Sequence, residues 1–560
     1  MIELDVRAGS AEPAVGRLLA RWRESGAAEK LWAGNPGLWG GASDTPELGD
    51  RLGWLDLPRD ADAVVAEIGR IKSEIPFWVT DIVLLGMGGS SLAPETMATT
   101  LDGDGPHLTV LDTTHPSAVR AAEQLEPART VFLVASKSGT TIETLSLFRH
   151  FWSRTREAVG EPGPHFIALT DPGTPLVALG RERGFRAVIE TPPEVGGRFS
   201  ALSAFGLAPA GLSGIDLRPL VESAEDAAGL CRASGPENVG LALGAALSVA
   251  AEAGRDKVTF LTSPRWRAFP DWAEQLIAES LGKDGKGLVP IAGEPLLPVG
   301  AYGGDRVIVG LLDSDQAREE AERWGEPDTA ATLVEELAAA GHPVINLRMD
   351  EPSDVGGLFF LWEVAVAMAG AALGVHPFNQ PDVGLAKALT AKALAGENLS
   401  EDGEGEYEGD SSEPEDAARA LSEFMALVEP GDYVAIQAFL PGGDDESEAL
   451  QQLRTAVTGA TGAATTLGYG PRFLHSTGQL HKGGANNGVF LQIVDDASPH
   501  VHVPESDFTF GELISAQSRA DFAALGQRSR RALRLTVSES DPGGAGGAIG
   551  RAAEVISGSG

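Results

Sequence analysis

Cysteine is nearly absent: Cys231 is the only one in 560 residues. Neither an intramolecular disulfide nor a thiolate metal cluster can form from a single thiol, which fits a reducing compartment. Positive charge is scarce as well. The chain has 43 Lys and Arg against 80 Asp and Glu, a formal net charge of −37. That surplus repels polyanions, so nucleic acid and an anionic membrane surface are disfavoured as partners. A small anionic substrate stays compatible with it if a few cations gather around the pocket. No run reads as the ~20 apolar residues of a transmembrane helix. The opening MIELDVRAGS lacks the basic and apolar regions of a secretory signal. The expected location is cytoplasmic.

What the chain does have is ample core-forming material, with 43% hydrophobic residues. At ~100–200 residues per domain the length admits three or four units, or two large α/β ones. Residues 1–78 read as a helical N-terminal segment, with three- and four-residue apolar spacing in AVGRLLARWRE and ADAVVAEIGRIKSEI. From Asp81 the pattern changes to short apolar runs separated by helical stretches: DIVLLG, HLTVLD, TVFLVA, HFIALT and FRAVIE. Such alternation predicts a doubly wound parallel sheet over 79–220. A second α/β series, with KVTFLTS, DRVIVGLLD and HPVINLRM, predicts another sheet within 221–540, completed by DYVAIQAFL, ATTLGYG and GVFLQIVD. The acidic stretch 396–416 is expected to be a flexible insertion and 541–560 a flexible Gly-rich tail.

Several motifs stand at predicted strand ends. Gly86-Met87-Gly88-Gly89-Ser90-Ser91 follows the first strand, where glycines let backbone N–H groups approach an anion. With Asp112 at the next strand's end it also admits an NAD-site reading, although the glycine pattern is incomplete. Ser136, Lys137, Ser138, Thr140 and Thr141 crowd one helix start, more hydroxyls than capping needs and a suitable phosphate cradle. Gly196-Gly197-Arg198-Phe199-Ser200 can place an arginine in a cleft. Gln275 and Glu279 share a helix face, the latter among Ile277, Ala278 and Leu281, a setting that suits a general base. His376-Pro377-Phe378-Asn379-Gln380-Pro381 leads into a helix bearing Lys387. No metal cluster is apparent; His500 and His502 alone supply too few ligands.

In this order and spacing the motifs resemble the glucose-6-phosphate isomerase family: Gly86–Ser90, Ser136–Thr144, Gly196–Ser200, Gln275–Lys283 and 376–387, with His376 where the family has asparagine. The resemblance implies two sugar-isomerase (SIS) domains of flavodoxin-like α/β fold, no cofactor, no metal, a sugar-phosphate substrate and a homodimer. It implies that Ser136, Ser138 and Thr141 hold the phosphate with Lys137 and Thr140 nearby, and that Gly89 and Ser90 border the sugar. Glu279 would move the proton between C1 and C2, Arg198 would stabilise the enediolate, Gln275 and Gln380 would orient the sugar, and Lys387 would assist ring opening. The family's ring-opening histidine is missing from EPLLPVGAYGGDR. The stretch Leu474-His475-Ser476-Thr477-Gly478-Gln479-Leu480-His481 looks like that element relocated, so His475 is the expected ring opener, with His481 as second choice. The late stretch is similar to the isomerase half of bacterial transaldolase–isomerase fusions. A complete transaldolase barrel would need at least ~200 residues more. Competing readings are a non-catalytic SIS-domain sugar-phosphate regulator, an NAD-dependent dehydrogenase, and a dual phosphoglucose/phosphomannose isomerase.

Overall fold

The five apolar runs between residues 81 and 190 form one parallel sheet in the computed structural model. Their strands are β2 (Asp81–Leu85), β3 (His107–Leu111), β4 (Thr130–Ala135), β5 (Phe166–Thr170) and β6 (Ala187–Glu190), ordered β3-β2-β4-β5-β6. All of β4 and nearly all of β2 are buried, as unbroken apolar runs require when helices cover both faces. The chain leaves β2 toward β3 but leaves β4 toward β5. Their adjacent carboxyl ends therefore border the crevice where connections diverge, the usual ligand position in such sheets. The structure describes residues 2–42, 44–235, 237–316, 328–397, 399, 406–410, 414–538 and 540–558.

A second sheet has the order β1-β10-β9-β7-β8, from β1 (Glu3–Arg7), β7 (Lys257–Thr262), β8 (Val289–Ile291), β9 (Arg306–Asp313) and β10 (Val344–Met349). Strands β7, β9 and β10 are the three expected from sequence. The edge strand β1 runs antiparallel to β10, so the first segment is not wholly helical; helices Glu12–Ser25 and Leu57–Glu74 follow it.

The late strands do not complete this second sheet. Strands β12 (Tyr433–Phe439), β13 (Ala464–Tyr469) and β14 (Gly488–Val494) join β11 (Glu406–Asp410) and β15 (Arg531–Thr536) in a third parallel sheet, ordered β11-β15-β14-β12-β13. A buried apolar run specifies a covered strand, not the sheet that receives it. Two flexible segments are also corrected. Within the acidic stretch, residues 406–410 form β11, which pairs its backbone with β15 from Glu406 opposite Ala532; residues 398, 400–405 and 411–413 lie outside the described residues. In the tail, Gly544–Ser557 is a helix that buries Ala545, Ala548, Ile549, Ala552 and Ala553, a three- and four-residue stripe set against helix Asp444–Thr461.

Among the described residues one helix, Pro352–Leu373, is long and apolar enough to cross a membrane by length and composition, which corrects the reading of the sequence. It is a core element: 89% of its apolar window is buried, against helices Leu217–Cys231 and Val239–Glu252. The third sheet meets the rest through Tyr433, Ala435, Phe490 and Leu480, which cluster with Ala278, Val289 and Ile291. Beside that apolar contact, Glu294 accepts hydrogen bonds from Arg306 (3.1 Å) and from the Thr465 backbone N–H (3.1 Å). Arg454 donates to the carbonyls of Ala292 and Gly293.

Candidate active site

Both loops at the carboxyl ends of β2 and β4 are shaped by glycine. Gly88 has φ +55°, and a Cβ there would lie 2.7 Å from Gln275 Nε2 and from the His475 carbonyl oxygen. A Cβ on Gly89 would lie 2.0 Å from the Gly197 carbonyl oxygen. Glycine thus brings the turn carrying the buried Ser90 against the Arg198 turn and the histidine turn together. After β4, Gly139 (φ +66°) lets the loop fold back on itself. Ser136 and Thr141 share a hydroxyl–hydroxyl hydrogen bond of 2.8 Å, as do Ser138 and Thr140. Thr141 is the N-cap of helix Ile142–Val159, yet its hydroxyl makes no cap bond. The first-turn N–H groups and four hydroxyls are gathered where an anion is favoured. Lys137 is ion-paired with Asp171 at this loop, and burial lowers its pKa.

Helix Phe269–Leu281 brings Gln275 and Glu279 up to the same crevice, both buried. Arg198 Nη1 stands 3.2 Å from Glu279 Oε1, and Gln275 Nε2 donates to Glu279 Oε2 at 3.2 Å. Arg198 is 3% exposed and is fixed by bonds to Ser280 Oγ (2.8 Å) and the Pro377 carbonyl (2.6 Å). Burial lowers its pKa. Gln275 Nε2 also donates to the His475 carbonyl at 2.7 Å, while its Oε1 is buried without a partner. That leaves one acceptor for a hydroxyl group.

The 376–380 turn is held from below. Lys283 donates to the His376 carbonyl (2.6 Å) and Asn379 Oδ1 (3.0 Å); burial, with Arg198 nearby, pushes its pKa down to about 6. His376 accepts from the N–H of Phe378 at Nδ1 (3.2 Å), so its Nε2 donates to the Pro46 carbonyl (3.0 Å). A side chain that caps this turn is what the position needs, and histidine supplies it. Gln380 and Lys387 are exposed, the latter on helix Val383–Leu394.

His475 comes from the third-sheet part of the same chain. Its Nε2 lies 2.9 Å from Glu143 Oε1 of the same chain. Burial alone would raise the Glu143 pKa, but the charge interaction and hydrogen bond with His475, a backbone hydrogen bond and, least, Lys387 hold that carboxyl below its usual range. Gln479 anchors the turn by donating to Asp382 Oδ2 (2.7 Å) and accepting from the Asp382 N–H (3.0 Å). His481 is elsewhere: it is buried between Phe473 and Phe490, with Nδ1 3.1 Å from Gln437. Burial pushes its pKa well down. The two histidines stand six residues apart, and His481, the second choice, is enclosed by these side chains rather than set beside Glu143.

Sequence reasoning gave no role to Glu143, Lys283, Ser280 or Gln517. Glu143 and Lys283 fall inside quoted motifs; Gln517 has no local signal. Asp112 is 3.2 Å from Arg472 in an ion pair. It lines a chamber of about 440 Å³ with Glu95, Asp271, Glu274 and Arg454, beside helix Phe269–Leu281. His500 and His502 are exposed, and among the described residues no group of three metal-ligating side chains occurs.

The phosphoglucose isomerase family model matches residues 65–285, a stretch that holds the hydroxyl-rich loop, Arg198 and Glu279. The chain is 33% identical over 387 residues to glucose-6-phosphate isomerase of Thermus thermophilus, covering 62% of this chain and 92% of that one. It is 30% identical over 390 residues to glucose-6-phosphate isomerase of Rubrobacter xylanophilus, covering 61% and 89%. Among solved structures, a hypothetical protein from Thermus thermophilus aligns with TM-score 0.61 and 30% identity, over 70% of this chain and all of that one. A glucose-6-phosphate isomerase from Chlamydia trachomatis shares the fold at TM-score 0.54 and 17% identity, over 74% and 89% of the two chains.

Proposed function

The chain belongs to the phosphoglucose isomerase family, and from that premise we propose how its residues interconvert glucose 6-phosphate and fructose 6-phosphate. It is an aldose–ketose isomerase, a reaction of glycolysis and gluconeogenesis. In our reading Ser136, Ser138, Thr140 and Thr141 take the phosphate at the start of helix Ile142–Val159, with Lys137 at the rim and Gly89 and Ser90 beside the sugar. His475, assisted by Lys387, moves the proton that opens the ring: the anomeric hydroxyl loses one and the ring oxygen gains one as the C1–O5 bond breaks. Glu279 then removes the proton from C2 and returns it to C1. Arg198 stabilises the enediolate that forms between them, and Gln275 and Gln380 hold the sugar hydroxyls. Between the two carbon steps a proton passes from O2 to O1 of the enediolate, so C1 is reduced as C2 is oxidised and no outside oxidant or reductant is needed.

The observation that carries this reading is the placement of Glu279 between Arg198 and Gln275, each 3.2 Å away. A carboxylate beside a fixed guanidinium pairs a proton acceptor with a stabiliser of developing negative charge. The test is conversion of fructose 6-phosphate in a coupled dehydrogenase assay, wild type against Glu279→Gln. We expect a loss of at least ~100-fold. Retained activity removes Glu279 as the base. A wild type that binds sugar phosphate without turnover is instead a regulator.

Within the family we place the chain beside the isomerase half of bacterial transaldolase–isomerase fusions, on the stretch Leu474–Gly484. We infer a cytoplasmic homodimer from the family resemblance. Each protomer supplies its own Glu279, Arg198 and His475, so in this reading dimerisation serves stability rather than completing the site; sedimentation against activity on dilution tests it.

A further inference from the structure

Glu143 has a second partner besides His475. Gln517, on helix Phe510–Gln527 and 2% exposed, donates its Nε2–H to Glu143 Oε1 at 2.6 Å. The same oxygen lies 2.9 Å from His475 Nε2. At the other end of the amide, Gln517 Oε1 accepts from the fully buried Thr114 hydroxyl at 3.1 Å. A hydroxyl donor at one end and an acceptor-only carboxylate at the other leave one satisfied orientation for the amide. The chain of contacts runs Thr114, Gln517, Glu143, His475, with its first and third members beside the first sheet and the others from the third.

We propose that Gln517 is a positioning residue for His475, acting through Glu143; this rests on the reading of His475 as the ring-opening group. Because Glu143 accepts from Nε2–H, the neutral imidazole is left with Nδ1 as its free lone pair. That arrangement holds only while Glu143 stays ionised and aimed. Two donors on one oxygen keep it aimed. An amide also cannot titrate, so it supplies a donor at every working pH without adding charge beside the carboxylate. The groups facing Glu143 are the His475 imidazole, a hydrogen-bond donor to it, and the Lys387 ammonium, and both favour its ionised form. Losing Gln517 lets the carboxylate turn or take up a proton, and either change frees the imidazole from its set tautomer and direction.

The test compares fructose 6-phosphate with 5-deoxyfructose 6-phosphate, which has no C5 hydroxyl and cannot close a ring. For Gln517→Leu we expect kcat on fructose 6-phosphate to fall at least ~10-fold, with KM and open-chain turnover within about 3-fold of wild type. Retained turnover of the analogue also shows that the variant is folded. Equal losses on both substrates, or none on either, overturn the proposal. Gln517→Glu keeps the shape but sets two carboxyls together. At about pH 6 they share a proton and the hydrogen bond, whereas at about pH 8.5 they repel. Its fructose 6-phosphate activity relative to wild type should therefore fall as pH rises, and a flat ratio overturns the proposal. His475→Asn separates the two layers. If it leaves turnover of fructose 6-phosphate intact, the ring-opening assignment fails and takes Gln517 with it. If it abolishes that turnover while Gln517→Leu does not, only the Gln517 proposal is refuted.

Discussion

Replacing Glu274 by glutamine should make the protein more stable at high pH and leave it unchanged at low pH. Glu274 lines the chamber beside helix Phe269–Leu281 and is 9% exposed. Burial, aggravated by the neighbouring Asp271, pushes its pKa from 4.5 up to about 8, against the opposing pull of Arg454, Arg472 and a hydrogen bond from Ser476. Each tenfold change in an acid constant is worth ~1.4 kcal/mol, so the shift from 4.5 to about 8 makes the ionised folded form about 5 kcal/mol less favourable than an unfolded one. Relaxation of the surroundings around a buried charge brings the realised figure down to about 2–4 kcal/mol. The sign follows from proton counting. Between pH 4.5 and about 8 the folded state holds a proton that the unfolded state has lost, so stability falls as pH rises through that window. Glutamine cannot ionise and escapes the fall. Thermal unfolding of wild type and Glu274→Gln should coincide near pH 4.5 and separate by several degrees near pH 9, the variant higher. A constant offset at every pH, or a wild type that gains on the variant as pH rises, would refute the assignment of a buried, destabilised carboxyl.

Three other outcomes are expected. Ser136→Ala removes one of the paired hydroxyls of the loop proposed to take the phosphate and should raise KM for fructose 6-phosphate about 10-fold with a smaller change in kcat, the scale of one hydrogen bond to a charged group; steady-state kinetics read both. His481→Phe should keep kcat within about 3-fold of wild type while costing about 1 kcal/mol in chemical unfolding, because only the bond to Gln437 is lost. Glu294→Leu leaves the fully buried Arg306 without its ionic partner and should cost about 3–5 kcal/mol in urea unfolding.

Local chemistry was legible in the sequence because it is written in contiguous residues. Loops at strand ends, the four-residue spacing of Gln275 and Glu279, and the hydroxyl run at Ser136–Thr141 all describe their own neighbourhoods. Sheet membership is another matter: GVFLQIVD states that both faces of β14 are covered, but the identity of its neighbours depends on residues far along the chain. The tail was misread because Gly543, Gly544, Gly546, Gly547 and Gly550 obscure the alanine and isoleucine stripe between them. Gln517 could not be found at all, since its partners Thr114 and Glu143 lie nearly 400 residues away. His475 was reachable only through a motif, and its placement beside Glu143 required the third sheet.

Helix Pro352–Leu373 carries a consequence for how the chain is made. A ribosome emitting Val355–Leu373 presents nineteen residues with Glu363 as the only ionisable one, and burial pushes that carboxyl's pKa well up. To any machinery that sorts nascent chains by apolarity, the segment is a decoy for a membrane anchor. Its protection is a matter of chain order. Helices Leu217–Cys231, Val239–Glu252 and Phe269–Leu281, against which it lies, are all synthesised before it, so its groove can be assembled by the time it emerges. A permuted chain that began between Phe269–Leu281 and Val355–Leu373 would deliver the same helix with no sheath waiting, and would trade a folding enzyme for an insertion or aggregation substrate.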